Sequence, residues 1–316
     1  MTRCAVNIDC ACSKIIKDIR SNFVHFPHVR RILSTLDRMY EYHCSTEEAE
    51  NIVIVGESGV GKSTLLEWYS MKHPVIEHDE FTEVPVLYVP LGQSPTPKIM
   101  ANTLLRALGD PKWQVGKEVE LTARLIFLVR QCRVRVVIID EANHLIDRGG
   151  EKTLHTAADW LKRLVDATRV SFVLAGIPRT IRLLQTNDQL RGRFWEVIEI
   201  DQFSVANASA EREFRSVLKV FKGYLRDLPS IEISDAAITR LFAFATDGRL
   251  RDIRRLMVRA VEVAYGSANP SLTDTALAEA FRTAIYPGSP DNRNPFHKAF
   301  NEMPLVKADE PYASVR

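Results

Sequence analysis

A short apolar strand runs straight into a glycine-rich turn, Val53-Ile54-Val55-Gly56-Glu57-Ser58-Gly59-Val60-Gly61-Lys62-Ser63-Thr64, and this segment fixes most of what the chain can become. The pattern G-x-x-x-x-G-K-S is that of a loop that cradles phosphates. Its glycines let successive backbone N–H groups turn inward as an anion-binding nest. Lys62 can reach the β- and γ-phosphates of a nucleoside triphosphate, and Ser63 can hold Mg²⁺. The helix expected from Leu65-Leu66-Glu67-Trp68 points the positive end of its dipole at the same anion. Gly56, Glu57, Ser58, Gly59, Val60, Gly61, Lys62, Ser63 and Thr64 are therefore the candidate nucleotide-binding residues.

Such a loop belongs at the edge of a buried parallel sheet, and the rest of the chain supplies one. Beyond the strand at about 51–55, Pro85–Leu91 and Val134–Asp140 read as strands, as do Val170–Ala175 and Trp195–Ile200. The 134–140 run is continuously apolar until its final acid, the pattern of a strand covered on both faces. Helical spacing fills the gaps: up to about Lys72, then Lys98–Leu108, Glu118–Cys132 and Leu154–Val165. Strands alternating with helices predict a three-layer parallel α/β sheet. After Phe203 only helical patterning remains, over Ala208–Leu225, Ser234–Ala245 with Ser234 as N-cap, Leu250–Tyr265 and Thr273–Ile285. The organisation expected is an N-terminal helical segment over 1–45, an α/β core over 46–205, a helical lid over 206–285 and an extended tail over 286–316. The tail is assigned from Pro287, Pro290, Pro295, Pro304 and Pro311, and Asn294-Pro295-Phe296 within it is a candidate peptide for a partner to dock.

Composition narrows the function classes. The chain has 316 residues, 46% hydrophobic and 26% charged, ample for a full core. A net charge of +2 means that any nucleic-acid surface is local. Arginines crowd into 240–259. Cys4, Cys10, Cys12, Cys44 and Cys132 are scattered, and Cys10-x-Cys12 lacks a second Cys/His pair at zinc-like spacing, so reduced thiols are expected. No segment has the length or apolarity of a signal peptide or a membrane span, which predicts a cytosolic protein without a membrane partner.

The second half of the candidate site is Val136-Val137-Ile138-Ile139-Asp140-Glu141. A buried strand delivers Asp140 to the sheet edge where ligands sit. An acid there can hold Mg²⁺, directly or through water, and Glu141 can polarise an attacking water. The alternative is an acid that caps the next helix. Further along, Asp188-Gln189-Leu190-Arg191-Gly192-Arg193-Phe194 precedes the last strand. Arg193, and after it Arg191, can present a guanidinium to a neighbouring copy's γ-phosphate, or simply form a surface ion pair. Arg251, in Gly248-Arg249-Leu250-Arg251, can reach nucleotide from the helical region or belong to a solvated basic face.

Together these features resemble the AAA+ ATPases, and within them the TniB/TnsC/MuB group of transposition regulators. The residues that carry the resemblance are GESGVGKST (56–64), VLYVPLGQSPTPK (86–98), LLRALGDP (104–111), VVIIDEANHL (136–145), VLAGIP (173–178) and NDQLRGRF (187–194). The phosphate loop is shared by many families; NDQLRGRF and the run from SPTPK to LLRALGDP select the group. The resemblance covers roughly 50–285. It implies a bacterial cytoplasmic ATPase that binds ATP with Mg²⁺ and forms a homo-oligomeric ring or helical filament on double-stranded DNA. It also implies a link between a TniQ-type target-selection protein and a transposase. In that frame Asp140 is a metal ligand with Ser63, Glu141 activates water, Arg193 is the finger and Arg251 the lid sensor. Thr96 and Lys98 contact DNA phosphates, although Thr96 with Pro97 also reads as a plain helix cap. One departure stands out. Ala175-Gly176-Ile177-Pro178 has no polar side chain where many AAA+ proteins have one, which predicts slow hydrolysis. The rival readings are an initiator or helicase-loader type of AAA+ enzyme, and a nucleotide-switched signalling scaffold without DNA binding.

Overall fold

The computed structural model describes residues 2–24, 26–93, 95–147 and 151–313; for 2–9, 147, 151, 152 and 195 it describes the backbone alone. The chain forms two compact units, one of residues 28–201 and one of residues 1–27 with 202–316.

The first unit is built on a five-stranded parallel sheet. Its strands are β1 (Asn51–Gly56), β4 (Val86–Pro90), β5 (Val136–Asp140), β6 (Ser171–Gly176) and β7 (Phe194–Ile200), in the order β4-β5-β6-β1-β7. The strands β1, β5 and β6 are buried along their whole length, as expected of strands covered on both faces by helices. Register follows the apolar runs: Ile52 pairs with Val173, Val137 with Leu87 and Phe172. Asn51 ties the strand starts together, its Nδ2 donating to Arg193 O at 2.9 Å and its Oδ1 accepting from Phe172 N at 2.8 Å. A two-residue ribbon, β2 (Ile76–Glu77) with β3 (Thr82–Glu83), had no counterpart in the sequence reading; its residues are too few and too polar to show a period.

The helices of this unit are α2 (Pro27–Thr46), α3 (Lys62–Lys72), α4 (Pro97–Ala107), α5 (Glu118–Gln131), α6 (His144–Asp147), α7 (Glu151–Thr168), α8 (Ile181–Thr186) and α9 (Asp188–Arg191). Each longer helix buries one stripe, such as Leu121, Leu125 and Val129 of α5. A fully buried Leu or Val contributes about 1.5–3 kcal/mol, so these stripes hold the helices to the sheet. Trp160 is buried among them, with Nε1 donating to Thr122 Oγ1 at 3.0 Å. The side chain of Trp195 lies outside the described ones.

The second unit is helical: α1 (Thr2–Ser21), α10 (Ala208–Tyr224), α11 (Ala236–Thr246), α12 (Leu250–Tyr265) and α13 (Asp274–Ala280). Ile253, Leu256, Met257, Ala260, Val261 and Ala264 give α12 a fully apolar face, and α1 and α13 pack on this helix. Ile15 and Ile19 of α1 are buried, and Asp18 pairs with Arg226. The two N-terminal helices, one segment in the sequence reading, thus belong to different units. The N-cap of α11 is Asp235, whose carboxylate accepts from Ala237 N, whereas Ser234 bonds Glu232. The observed cap therefore falls one residue later than expected.

Residues 286–313 are not an extended tail. Phe296, Leu305 and Tyr312 are buried, and Asn294 is fully so. Phe296 packs edge-on against Phe242, and Tyr312 OH donates to Ala245 O at 2.9 Å. Prolines removed regular hydrogen bonding from this stretch but left its apolar anchors, which are spaced too irregularly to show a period.

Candidate active site

At the end of β1, Gly56 lies so close to β7 that a Cβ there would fall 2.5 Å from Ile200 O. Only glycine lets the chain turn at that point. Gly59 and Gly61 follow with φ of +90° and +105°, the left-handed backbone of an anion nest. Helix α3 begins at Lys62 with Gly61 as its N-cap and no side chain to cap it. Its first-turn N–H groups are thus presented to the loop. Lys62 is 6% exposed, and its Nζ donates to Gly56 O at 2.7 Å and Glu57 O at 3.0 Å. Burial pulls its pKa below the usual lysine value, while Glu141, Asp140 and Glu57 oppose that shift. Val60 is buried and anchors the loop; Glu57, Ser58 and Thr64 are exposed, and Ser63 is half-buried. A lined nest, a helix start and an ammonium group match a polyphosphate.

Asp140 closes β5 at 1% exposure. Its Oδ2 accepts from Tyr88 OH at 2.9 Å and its Oδ1 from Glu141 N at 2.8 Å, so the carboxylate is aimed from both sides. Burial first, and the Asp140 charge next, push the Tyr88 phenol well above its ordinary pKa, keeping it a donor. Glu141 holds φ at +54°, a left-handed backbone that costs a non-glycine residue about 1–3 kcal/mol. The turn is fixed by Leu91 N to Asp140 O at 2.9 Å and Ala142 N to Ala175 O at 2.8 Å. Among the described residues no group of three or more His, Cys, Asp or Glu could hold a metal. The hydroxyl of Ser63 and the carboxylate of Asp140 are instead the oxygen donors suited to a Mg²⁺ that keeps substrate phosphates and water as its other ligands. None of Cys10, Cys12, Cys44 and Cys132 forms a disulfide; the Cys4 side chain lies outside the described ones.

The structure brings Lys62, Asp140 and Glu141 into one electrostatic cluster. The other sequence candidates have local partners of their own. Arg193 is held by Asp166, with Nε to Oδ1 at 2.6 Å and Nη2 to Oδ2 at 3.4 Å, and Arg191 pairs with Asp188 at 3.0 Å. Thr96 is the N-cap of α4, its Oγ1 accepting from Ile99 N at 3.3 Å with Pro97 at the first position, and Lys98 beside it is exposed. Arg251 belongs to the helical unit, 3.3 Å from Asp252 Oδ1. Tyr88 escaped the sequence reading. Its signal is a phenol inside an apolar strand, two residues before Pro90, which pairs with Asp140.

A parallel sheet in this order, with the phosphate loop after β1, Asp-Glu closing β5 and a helical unit beyond, defines an AAA+ ATPase. The sequence pattern described as Bacterial TniB protein matches residues 15–204. The chain belongs to the TniB family. No curated protein matches it. Among solved structures it is similar to Cdc6p from Pyrobaculum aerophilum, at TM-score 0.64 and 17% identity over 86% of this chain and 71% of that one. The ORC2 protein of Aeropyrum pernix, solved as ADPNP–ADP complexes, gives 0.62 and 17% over 84% and 71%. ORC1 of the same organism, solved in complex with DNA, gives 0.61 and 15% over 85% and 69%. At such identities the likeness is one of fold. No helix among the described residues is long and apolar enough to cross a membrane.

Proposed function

We propose that this protein is an ATP-dependent, sequence-nonspecific DNA-binding regulator of transposition in the bacterial cytoplasm. In this reading it assembles on target DNA and links a TniQ-type target-selection protein to the transposase. The observation that carries the reading is the convergence of Lys62, Asp140 and Glu141 at one end of the sheet, in a chain of the TniB family. The nest of 56–64 binds the triphosphate and Lys62 neutralises it. Bound Mg²⁺, held by Ser63 and Asp140, supplies charge neutralisation on the phosphates. Tyr88 keeps Asp140 aimed, and Glu141 accepts a proton from the attacking water.

Assembly makes the site complete. Arg193, presented by its Asp166 pair, or Arg191 beside it, reaches a neighbouring copy's nucleotide. Arg251 reads nucleotide state from the helical unit. Lys98, exposed at the start of α4, contacts phosphate of duplex DNA, with Thr96 shaping that helix end. The likeness to ORC and Cdc6 proteins favours one competing reading, an initiator-type ATPase. That reading requires preference for a particular DNA sequence.

Electron microscopy with a non-hydrolysable ATP analogue and random-sequence duplex DNA tests the proposal. Ordered rings or filaments that need both ligands are the expected result. A protein that stays monomeric and free of DNA under those conditions refutes it, and assembly restricted to one DNA sequence favours the initiator.

A further inference from the structure

Strand β6 lies between β1, which feeds the phosphate loop, and β5, which ends in Asp140-Glu141. Whatever stands at its C-terminal end faces the ground between Lys62 and Glu141. The strand itself brings nothing polar there: it closes with Ala175-Gly176 and continues into Ile177. The space beside Gly176 is nonetheless filled by polar groups. A Cβ on Gly176 would fall 2.3 Å from Thr180 Oγ1 and 2.8 Å from Asn143 Oδ1. Glycine is needed at 176 because two other side chains hold the volume that its own would take.

Both side chains are buried, Asn143 at 4% exposure and Thr180 at 1%. Asn143 stands two residues after Glu141, in the turn that Ala142 N pins to Ala175 O. Its Oδ1 accepts from Ile177 N at 3.4 Å. That leaves its Nδ2 donors without a hydrogen bond among the described residues. The Thr180 hydroxyl is buried and has no partner among the described residues. Buried polar groups are nearly always paired; an unpaired Thr180 hydroxyl beside the Asn143 amide, at the edge of a phosphate site, is matched to a ligand that brings its own acceptors.

We propose that Asn143 and Thr180 together orient the attacking water and the terminal phosphate, replacing the polar side chain that β6 lacks. In the reaction the water oxygen bonds to the γ-phosphorus as the bridging P–O bond to the β-phosphate breaks. The bond's electron pair leaves with ADP, and the water's proton passes to Glu141. Asn143 Nδ2 and Thr180 Oγ1 donate to the oxygens involved and so fix the line of attack. On this reading the lack of a polar side chain in Ala175-Gly176-Ile177-Pro178 does not by itself impose slow hydrolysis: the donors come from the turn after β5 and from the segment after β6. The inference rests on the ATPase reading of the site.

The test compares wild type with Asn143→Ala, Asn143→Asp and Thr180→Val, measured with duplex DNA present. Thr180→Val keeps the buried volume; Asn143→Asp keeps the acceptor for Ile177 N and removes the amide donors. The expected result is a fall in kcat of about 10²-fold for the Asn143 variants and about tenfold for Thr180→Val. Affinity for a fluorescent ATP analogue should stay within about threefold, whereas affinity for ADP–aluminium fluoride should fall in step with kcat, since only the transition state uses these donors. A kcat within about threefold of wild type in Asn143→Asp and Thr180→Val overturns the proposal. Equal loss of ATP and ADP–aluminium fluoride binding overturns it too, because that pattern marks a structural role; if Asn143→Ala does not fold, the other two variants decide. A wild-type protein that binds ATP but never hydrolyses it would strike the ATPase reading instead.

Discussion

Arg293→Ala should release residues 294–313 from the helical unit. Arg293 and Glu310 have side chains 7% and 6% exposed, and they meet in two parallel contacts at 2.6 and 2.7 Å. The same guanidinium donates to Asn301 Oδ1 at 2.9 Å, Met303 O at 3.3 Å and Pro304 O at 2.7 Å. One side chain therefore gathers a segment that has no helix or strand of its own. Truncating it leaves Glu310 buried with Lys307 N, at 2.8 Å, as its one remaining donor among the described residues. Removing one partner of a buried, fully bonded pair costs about 3–5 kcal/mol, against at most about 1 kcal/mol for an exposed pair. Hydrogen exchange of the Asn294, Phe296 and Tyr312 amides, all hydrogen-bonded, reads that difference directly. Protection should fall by about 10²- to 10⁴-fold at pH 7, at 1.36 kcal/mol per decade.

The pH dependence gives a second check. The Arg293 guanidinium holds the Glu310 carboxyl below its ordinary value of 4.5. A depressed carboxyl pKa contributes stability that is complete above the unfolded value and lost as pH falls through the folded one. The gap between wild type and variant should thus be widest at neutral pH and narrow below about pH 4.5. A loss of protection under about fivefold at pH 7, or a gap that widens in acid, would refute the clamp.

Lys62→Ala should abolish ATP binding measured by calorimetry, whereas Glu141→Gln should bind ATP normally and lose about 10²- to 10⁴-fold in turnover. Lys98→Ala should weaken binding to all duplex sequences alike and lower the slope of log affinity against log salt by about one, read from fluorescence anisotropy titrations. Gly248→Ala should lower the melting temperature sharply or prevent soluble expression, since φ is +63° there and the new Cβ would fall 1.7 Å from Phe203 O.

The sheet and the phosphate loop were legible because both depend on contiguous residues. An apolar run such as Val136–Ile139 announces a buried strand, and Gly56 to Thr64 carry their geometry in their spacing. What escaped depends on residues distant in sequence. Nothing local in Arg293 and Glu310 says that they meet, so prolines alone made 286–316 read as extended. Helix α1 looks like a companion of α2, yet Ile15, Ile19 and the Asp18–Arg226 pair commit it to the C-terminal unit. Asn143 and Thr180 were invisible for a related reason: the signal was a side chain missing at Gly176, and its meaning comes only from what fills the gap.

The backward-turned main chain at Glu141 has an evolutionary reading. A population of variants screened only for solubility or heat tolerance should drift there toward glycine or asparagine, which accept that geometry easily. A population screened for phosphate release should keep the acid and its cost. Where those two pressures diverge at a single codon, the codon marks chemistry and not architecture.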